Sequence, residues 1–105
     1  METGRDSQMA TYLDLDSITN TATGRSGWVR RDLEITAKPT NISRLIALYE
    51  WDCGARRYRI MQTTGYFRDG TNGTSATPLD WKFAVPDTSD EHVLDLACKA
   101  MPNAR

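Results

Sequence analysis

Ile42-Ser-Arg-Leu-Ile-Ala-Leu-Tyr-Glu-Trp-Asp-Cys53 is the stretch whose reading decides the fold. Side chains on a strand alternate between two faces. One face of this segment carries Leu45, Ala47, Tyr49, Trp51 and Cys53. The other carries Ile46 and Leu48 in its middle, with Arg44, Glu50 and Asp52 towards the ends. A segment apolar on both sides at its centre is expected in the interior of a sheet, with something covering each face.

Working outward, Cys53-Gly54-Ala55 turns the chain into Arg56–Thr63, where Tyr58 and Ile60 alternate with Arg57, Arg59 and Met61. Thr64–Arg68 reads as a further strand. Asp69-Gly70-Thr71-Asn72-Gly73 holds two turn dipeptides and is expected as an exposed hairpin loop. Asp80–Val85 is a strand with Trp81, Phe83 and Val85 on one face, ended by Pro86. Upstream, Ala10–Asn20 alternates as a strand, with Asp14 and Asp16 sharing a face. Thr21–Gly27 is a turn region, and Trp28–Ile35 is a strand with Val29, Arg31, Leu33 and Ile35 opposite Trp28, Arg30, Asp32 and Glu34. Pro39 and Asn41 then break the pattern.

The last element is a helix over Ser89–Met101. Thr88-Ser-Asp-Glu91 fits a capping box, and Val93, Leu94, Ala97, Cys98 and Met101 form one apolar stripe before Pro102. The fold class is therefore α+β: about six antiparallel strands with a C-terminal helix. Residues 1–9 are expected to be a disordered lead-in and residues 10–102 a single domain, since 105 residues suffice for one domain and not two.

Cys53 and Cys98 lie on the apolar faces of their elements. A helix packed on the Tyr49–Trp51 face brings both sulfurs to one contact, so a disulfide is expected. Two unconnected buried thiols are the alternative. No CxxC redox or zinc motif is present. A disulfide implies an oxidising compartment, hence a periplasmic, outer-surface or secreted protein whose leader is absent from this sequence. No run approaches the length needed to span a bilayer as a helix.

Catalytic chemistry finds little support. His92 is the only histidine and falls on the polar side of the helix. No nucleophile elbow, phosphate loop, dinucleotide fingerprint or HExxH motif occurs, and no metal or cofactor is expected. The protein is expected not to be an enzyme. With a formal net charge of −1, nucleic acid is not an expected partner. The ten arginines outnumber three lysines, which favours local recognition patches. Arg30, Arg31, Arg57 and Arg59 are the candidate contacts for a protein partner. For Arg57 and Arg59 the competing role is cross-strand pairing with Glu50 and Asp52. With one helix on the Trp51 side, Ile46 and Leu48 are candidate self-association residues in a homodimer. A strongly twisted half-barrel would bury them intramolecularly instead.

The ordered set Tyr12-Leu-Asp-Leu-Asp-Ser-Ile18, Trp28-Val-Arg30, Tyr49-Glu-Trp-Asp-Cys53, Arg56-Arg-Tyr-Arg59, Tyr66 with Gly70, Trp81…Val85-Pro86 and the helical Cys98 resembles the bacterial surface-adhesin protein E family over about residues 11 to 101. The resemblance implies a six-stranded antiparallel sheet disulfide-bonded to a C-terminal helix, and export in a Gram-negative bacterium. It also implies an adhesin that binds host extracellular-matrix proteins such as vitronectin or laminin and can dimerise. The alternative is a structural cell-envelope domain acting through self-association.

Overall fold

The computed structural model describes residues 2–5, 9–33 and 42–100. Its elements are β1 (Glu2–Arg5), β2 (Met9–Leu13), a 3-10 turn (Leu15–Ser17), β3 (Thr19–Asn20), β4 (Arg25–Leu33), β5 (Ile42–Asp52), β6 (Arg57–Phe67), β7 (Asn72–Ser75), β8 (Lys82–Phe83) and α1 (Ser89–Lys99). They form one antiparallel sheet in the order β1-β2-β4-β5-β6-β7, with β3 added to β4 and β8 to β6. As expected, β5 lies in the interior, and α1 packs on one face only.

The core lies between α1 and the face of β5 that carries Ala47, Tyr49 and Trp51. Leu13, Ile18, Val29, Val93, Leu94 and Ala97 complete it, and Trp51 is fully buried. The Tyr49 ring stacks on Trp51 at 5.7 Å and on Tyr58 at 5.8 Å. These rings supply much of the apolar area that a small domain has available. Thr88 caps the helix by accepting from the Glu91 N–H at 3.4 Å, while the Glu91 carboxylate reaches back to the Asp87 N–H at 3.3 Å. The expected capping box therefore forms with its return bond shifted by one residue. The helix stripe is as expected through Cys98, and Met101 lies outside the described residues.

Cys53 and Cys98 are bonded, with Cα atoms 6.0 Å apart and a sequence separation of 45. Three arginines hold the helix as well. Arg25 Nη1 donates to the Ala97 carbonyl at 3.3 Å and to the Ala100 carbonyl, satisfying carbonyls that the helix C-terminus leaves open. Arg31 reaches Asp90 in the first turn at 3.0 Å. Arg56 pairs with Asp95 at 2.9 Å and Glu91 at 3.4 Å.

Several expected boundaries move, each for a local reason. The strand expected over Ala10–Asn20 stops at Leu13. The Asp14 carboxylate accepts from the Asp16 N–H at 3.1 Å and nucleates the 3-10 turn, so Asp14 and Asp16 are turn residues rather than a strand face. Pairing resumes only at Thr19. β4 begins at Arg25, because Gly24 lets the chain approach the β5 backbone closely and Gly27 leaves room for the Ile18 side chain. A Cβ on Gly24 would collide with the Trp51 carbonyl oxygen, and one on Gly27 would lie 2.6 Å from Ile18 Cδ1. Glu34 and Ile35, assigned to this strand from sequence, lie outside the described residues.

The two strands expected over residues 56–68 are a single strand, β6. Leu48 pairs with Gln62 and Tyr49 with Ile60, leaving Met61 as the extra residue of a bulge. The bulge inverts the alternation, so Tyr58, Ile60, Thr63 and Gly65 share the helix side. Asn72 and Gly73 belong to β7 rather than to a loop. The turn before them uses Gly70 at φ +91°, a conformation that favours glycine. Of the expected strand over Asp80–Val85, only Lys82 and Phe83 form a ladder with β6. The expected disordered lead-in is corrected as well: Glu2–Arg5 forms β1, paired with β2.

Candidate interaction surface on the open sheet face

Alternation and register decide which side chains face away from the helix. From β2 this face receives Tyr12, and from β4 Trp28, Arg30 and Asp32. β5 supplies Arg44, Ile46, Leu48 and Glu50, and β6 supplies Arg57, Arg59, Gln62 and Thr64. Phe83 stands beside Arg57 and is 73% exposed. Trp81 lies over Arg57 and Arg59, each guanidinium 4.7 Å from its ring centre.

Four arginines are candidate contacts from sequence, and the fold separates them. Arg31 is on the helix side. Its Nη1 donates to the Tyr49 hydroxyl at 2.9 Å and its Nη2 to Asp90 at 3.0 Å. Asp90 also accepts from the Tyr58 hydroxyl at 3.1 Å. Burial works against the Arg31 charge, but Tyr49 and Asp90 outweigh it and its pKa stands above the usual value. Burial and then the Asp90 charge push the Tyr58 phenol up to about 12. Burial likewise raises Tyr49. This cluster ties the helix to the sheet and lines a polar cleft of about 210 Å³ that also touches Lys82.

Arg30, Arg57 and Arg59 do share the open face. Arg59 donates from Nε and Nη2 to one Glu50 oxygen at 3.0 and 2.8 Å, and Thr23 donates to the other at 2.6 Å. Burial pushes the Glu50 carboxyl up, but bonds from Thr23, Arg59 and Thr21 outweigh it and hold its pKa below the usual range. Arg57 Nε meets Asp52 at 3.0 Å. The Ala55 N–H and then Arg57 hold the Asp52 carboxyl down. Both cross-strand pairs foreseen from sequence are therefore formed, and these guanidinium groups meet solvent already neutralised, between carboxylates and an indole.

Arg30 is less committed. Its guanidinium stacks on Tyr12 at 4.3 Å, and its Nε lies 3.5 Å from Asp32, whose other oxygen is bonded to Arg44 at 2.8 Å. Ile46 and Leu48 are half-buried between these two arginine groups. The sheet does not close on itself, because β1 and β7 end the strand order unpaired with each other. Sequence reasoning missed the part Trp81 plays on this face. Its alternation with Phe83 was visible, but nothing local showed that its segment would lie along the outer edge of β6.

The sequence profile of the Surface-adhesin protein E family matches residues 1–99. The chain belongs to this family. No curated protein and no solved structure matches it. Membership in the surface-adhesin protein E family suggests a surface adhesin, located outside the cytoplasm and working by binding rather than catalysis. Among the described residues no helix is long and apolar enough to cross a membrane. No group of three or more His, Cys, Asp or Glu among them is placed to hold a metal ion.

Proposed function

We propose that this chain is an adhesin-like domain that binds a host extracellular-matrix protein, vitronectin or laminin, through the open face of its sheet. The observation that carries the reading is the one-sided cover. The helix buries one face, while the other presents Trp28, Trp81, Arg30, Arg57 and Arg59 around half-buried Ile46 and Leu48. Tryptophan and arginine are the residues most often found as energetic anchors at protein interfaces. Because Arg57 and Arg59 are neutralised by Asp52 and Glu50, recognition there rests on planar stacking surfaces more than on net charge.

The test is capture of the domain on immobilised vitronectin and on laminin at physiological ionic strength. Trp81→Ala and Arg57→Gln should each weaken capture at least tenfold while leaving the circular dichroism spectrum unchanged. Full capture by both folded variants would remove this part of the face from the interface.

A second reading uses the same surface for self-association within the cell envelope, favoured by Ile46 and Leu48 with the exposed Phe83. Sedimentation equilibrium distinguishes it. A concentration-dependent dimer abolished by Ile46→Asp in a still-folded variant supports it, and a monomer at high micromolar concentration refutes it.

A further inference from the structure

At the end of the open face away from Trp81 lies a groove of about 330 Å³, lined by Tyr12, Leu13, Asp14, Trp28, Val29, Arg30 and Ile46. Its volume falls at the small-molecule end of binding-site sizes. The groove exists because β2 leaves the sheet after Leu13. The last contacts to β4 are Leu13 opposite Val29 and the Asp14 N–H to the Trp28 carbonyl at 3.0 Å. The 3-10 turn then carries the chain away before β3 rejoins β4 at Ser26. Trp28 is fixed on both sides, since its own N–H donates to Ser17 Oγ at 2.9 Å, and that hydroxyl donates to the Asp14 carbonyl at 2.7 Å. The groove is thus preorganised, which lowers the ordering cost of binding.

Its polar groups have capacity left. Among the described residues, Arg30 Nη1 and Nη2 make no hydrogen bond, and Arg30 Nε is shut off from solvent without a hydrogen-bond partner. The Trp28 indole N–H also has no acceptor among them, and Asp14 uses only one carboxylate oxygen, in its bond from the Asp16 N–H. The groove therefore offers a forked cation, a neutral donor and an anionic acceptor beside aromatic and aliphatic side chains.

We infer that this groove binds an acidic saccharide, a sugar ring carrying a carboxylate such as a uronate. A pyranose ring has an apolar C–H face that lies on indole or phenol, and a rim of hydroxyls that donate and accept. Its hydroxyl donors suit Asp14, and its oxygens suit the Trp28 N–H. A carboxylate takes the guanidinium fork, which matches carboxylate geometry in a way a lysine does not. A simple anion would take the Arg30 fork but leave the Trp28 indole N–H, the Asp14 carboxylate and the aromatic faces unused. A purely apolar ligand would cover the Trp28 and Asp14 polar groups and leave them unpaired, at a cost per group comparable to a lost hydrogen bond. The groove shares Trp28, Arg30 and Ile46 with the face proposed for matrix-protein capture, but Trp81 and Arg57, whose substitution tests that capture, lie outside it, so the two readings fail separately.

The experiment is a nitrogen-proton NMR titration of the intact domain with hyaluronan hexasaccharide. Chitohexaose serves as the neutral control and sodium acetate and inorganic phosphate as small-anion controls. Saturable shifts of the Trp28 indole and Arg30 Nε signals with the uronate-bearing probe are expected. Binding should weaken at least tenfold with chitohexaose and with Arg30→Gln, and Trp28→Phe should weaken both sugars. Equal shifts with acetate or phosphate would reduce the site to an anion site and overturn the inference. Shifts confined to the Trp81 indole, or undiminished binding by folded Arg30→Gln and Trp28→Phe, would overturn it too.

Discussion

Replacing both Cys53 and Cys98 by serine should cost the domain about 4 kcal/mol. The bond closes a loop with a sequence separation of 45. In the chain-entropy treatment such a loop restrains the unfolded chain by about 13 cal/mol/K, or about 4 kcal/mol at 25 °C. An unfolding entropy of about 2.1 cal/mol/K per residue gives roughly 220 cal/mol/K for this chain, so the midpoint should fall by about 18 °C. The folded state itself should change little. Val93, Leu94 and Ala97 remain buried, and Arg25, Arg31 and Arg56 still hold the helix at both ends and along its flank. Thermal unfolding followed by circular dichroism measures the drop, with reduced wild-type protein as a control free of new side chains. The double variant should match the reduced protein within about 1 kcal/mol. A fall of less than about 5 °C in both would refute the reasoning, because the cross-link would then not be restraining the unfolded chain. A loss of helical signal at low temperature would refute the claim that those contacts suffice to keep it in place.

Arg31→Met keeps an apolar stem against the core but leaves Asp90 with Tyr58 as its remaining hydrogen-bond partner, and should cost about 2 kcal/mol, the scale of hydrogen bonds to charged groups. A double-mutant cycle with Asp90→Asn should show coupling, and additive losses would mean that the pair contributes nothing jointly. The depressed Glu50 carboxyl makes stability acid-sensitive. Its folded pKa lies below the unfolded value of about 4.3, so the contribution is present above that pH and lost as pH falls through the folded value. Urea midpoints against pH should fall less steeply in Glu50→Gln than in wild type, and parallel curves would count against the assignment.

Much of the architecture was legible because it rests on local chemistry. The two-sided apolar centre of Ile42–Cys53 put β5 in the sheet interior, and Thr88 with Glu91 marked the helix start. The apolar placement of both cysteines pointed to their bond, and the family resemblance followed from the same ordered residues that the family profile matches. Each of these signals lies within one element, or in the shared polarity of two, and so survives without coordinates.

Tertiary structure decided what two elements do to each other. The bulge at Met61 merges two expected strands, because register is fixed by pairing with β5 and not by the alternation of β6 alone. Asp14 ends β2 early by bonding to backbone two residues on, and that departure opens the groove beside Trp28. Adjacent arginines diverge for the same reason that strands have two faces. Arg31 joins the helix through Tyr49 and Asp90, while Arg30 lies on Tyr12 across the sheet. The sequence by itself determined that Arg30 and Arg31 point to opposite faces of one strand. Only the packing of α1 on one face of the sheet made Arg31 a staple of the helix and left Arg30 stacked on Tyr12 on the face that α1 does not cover.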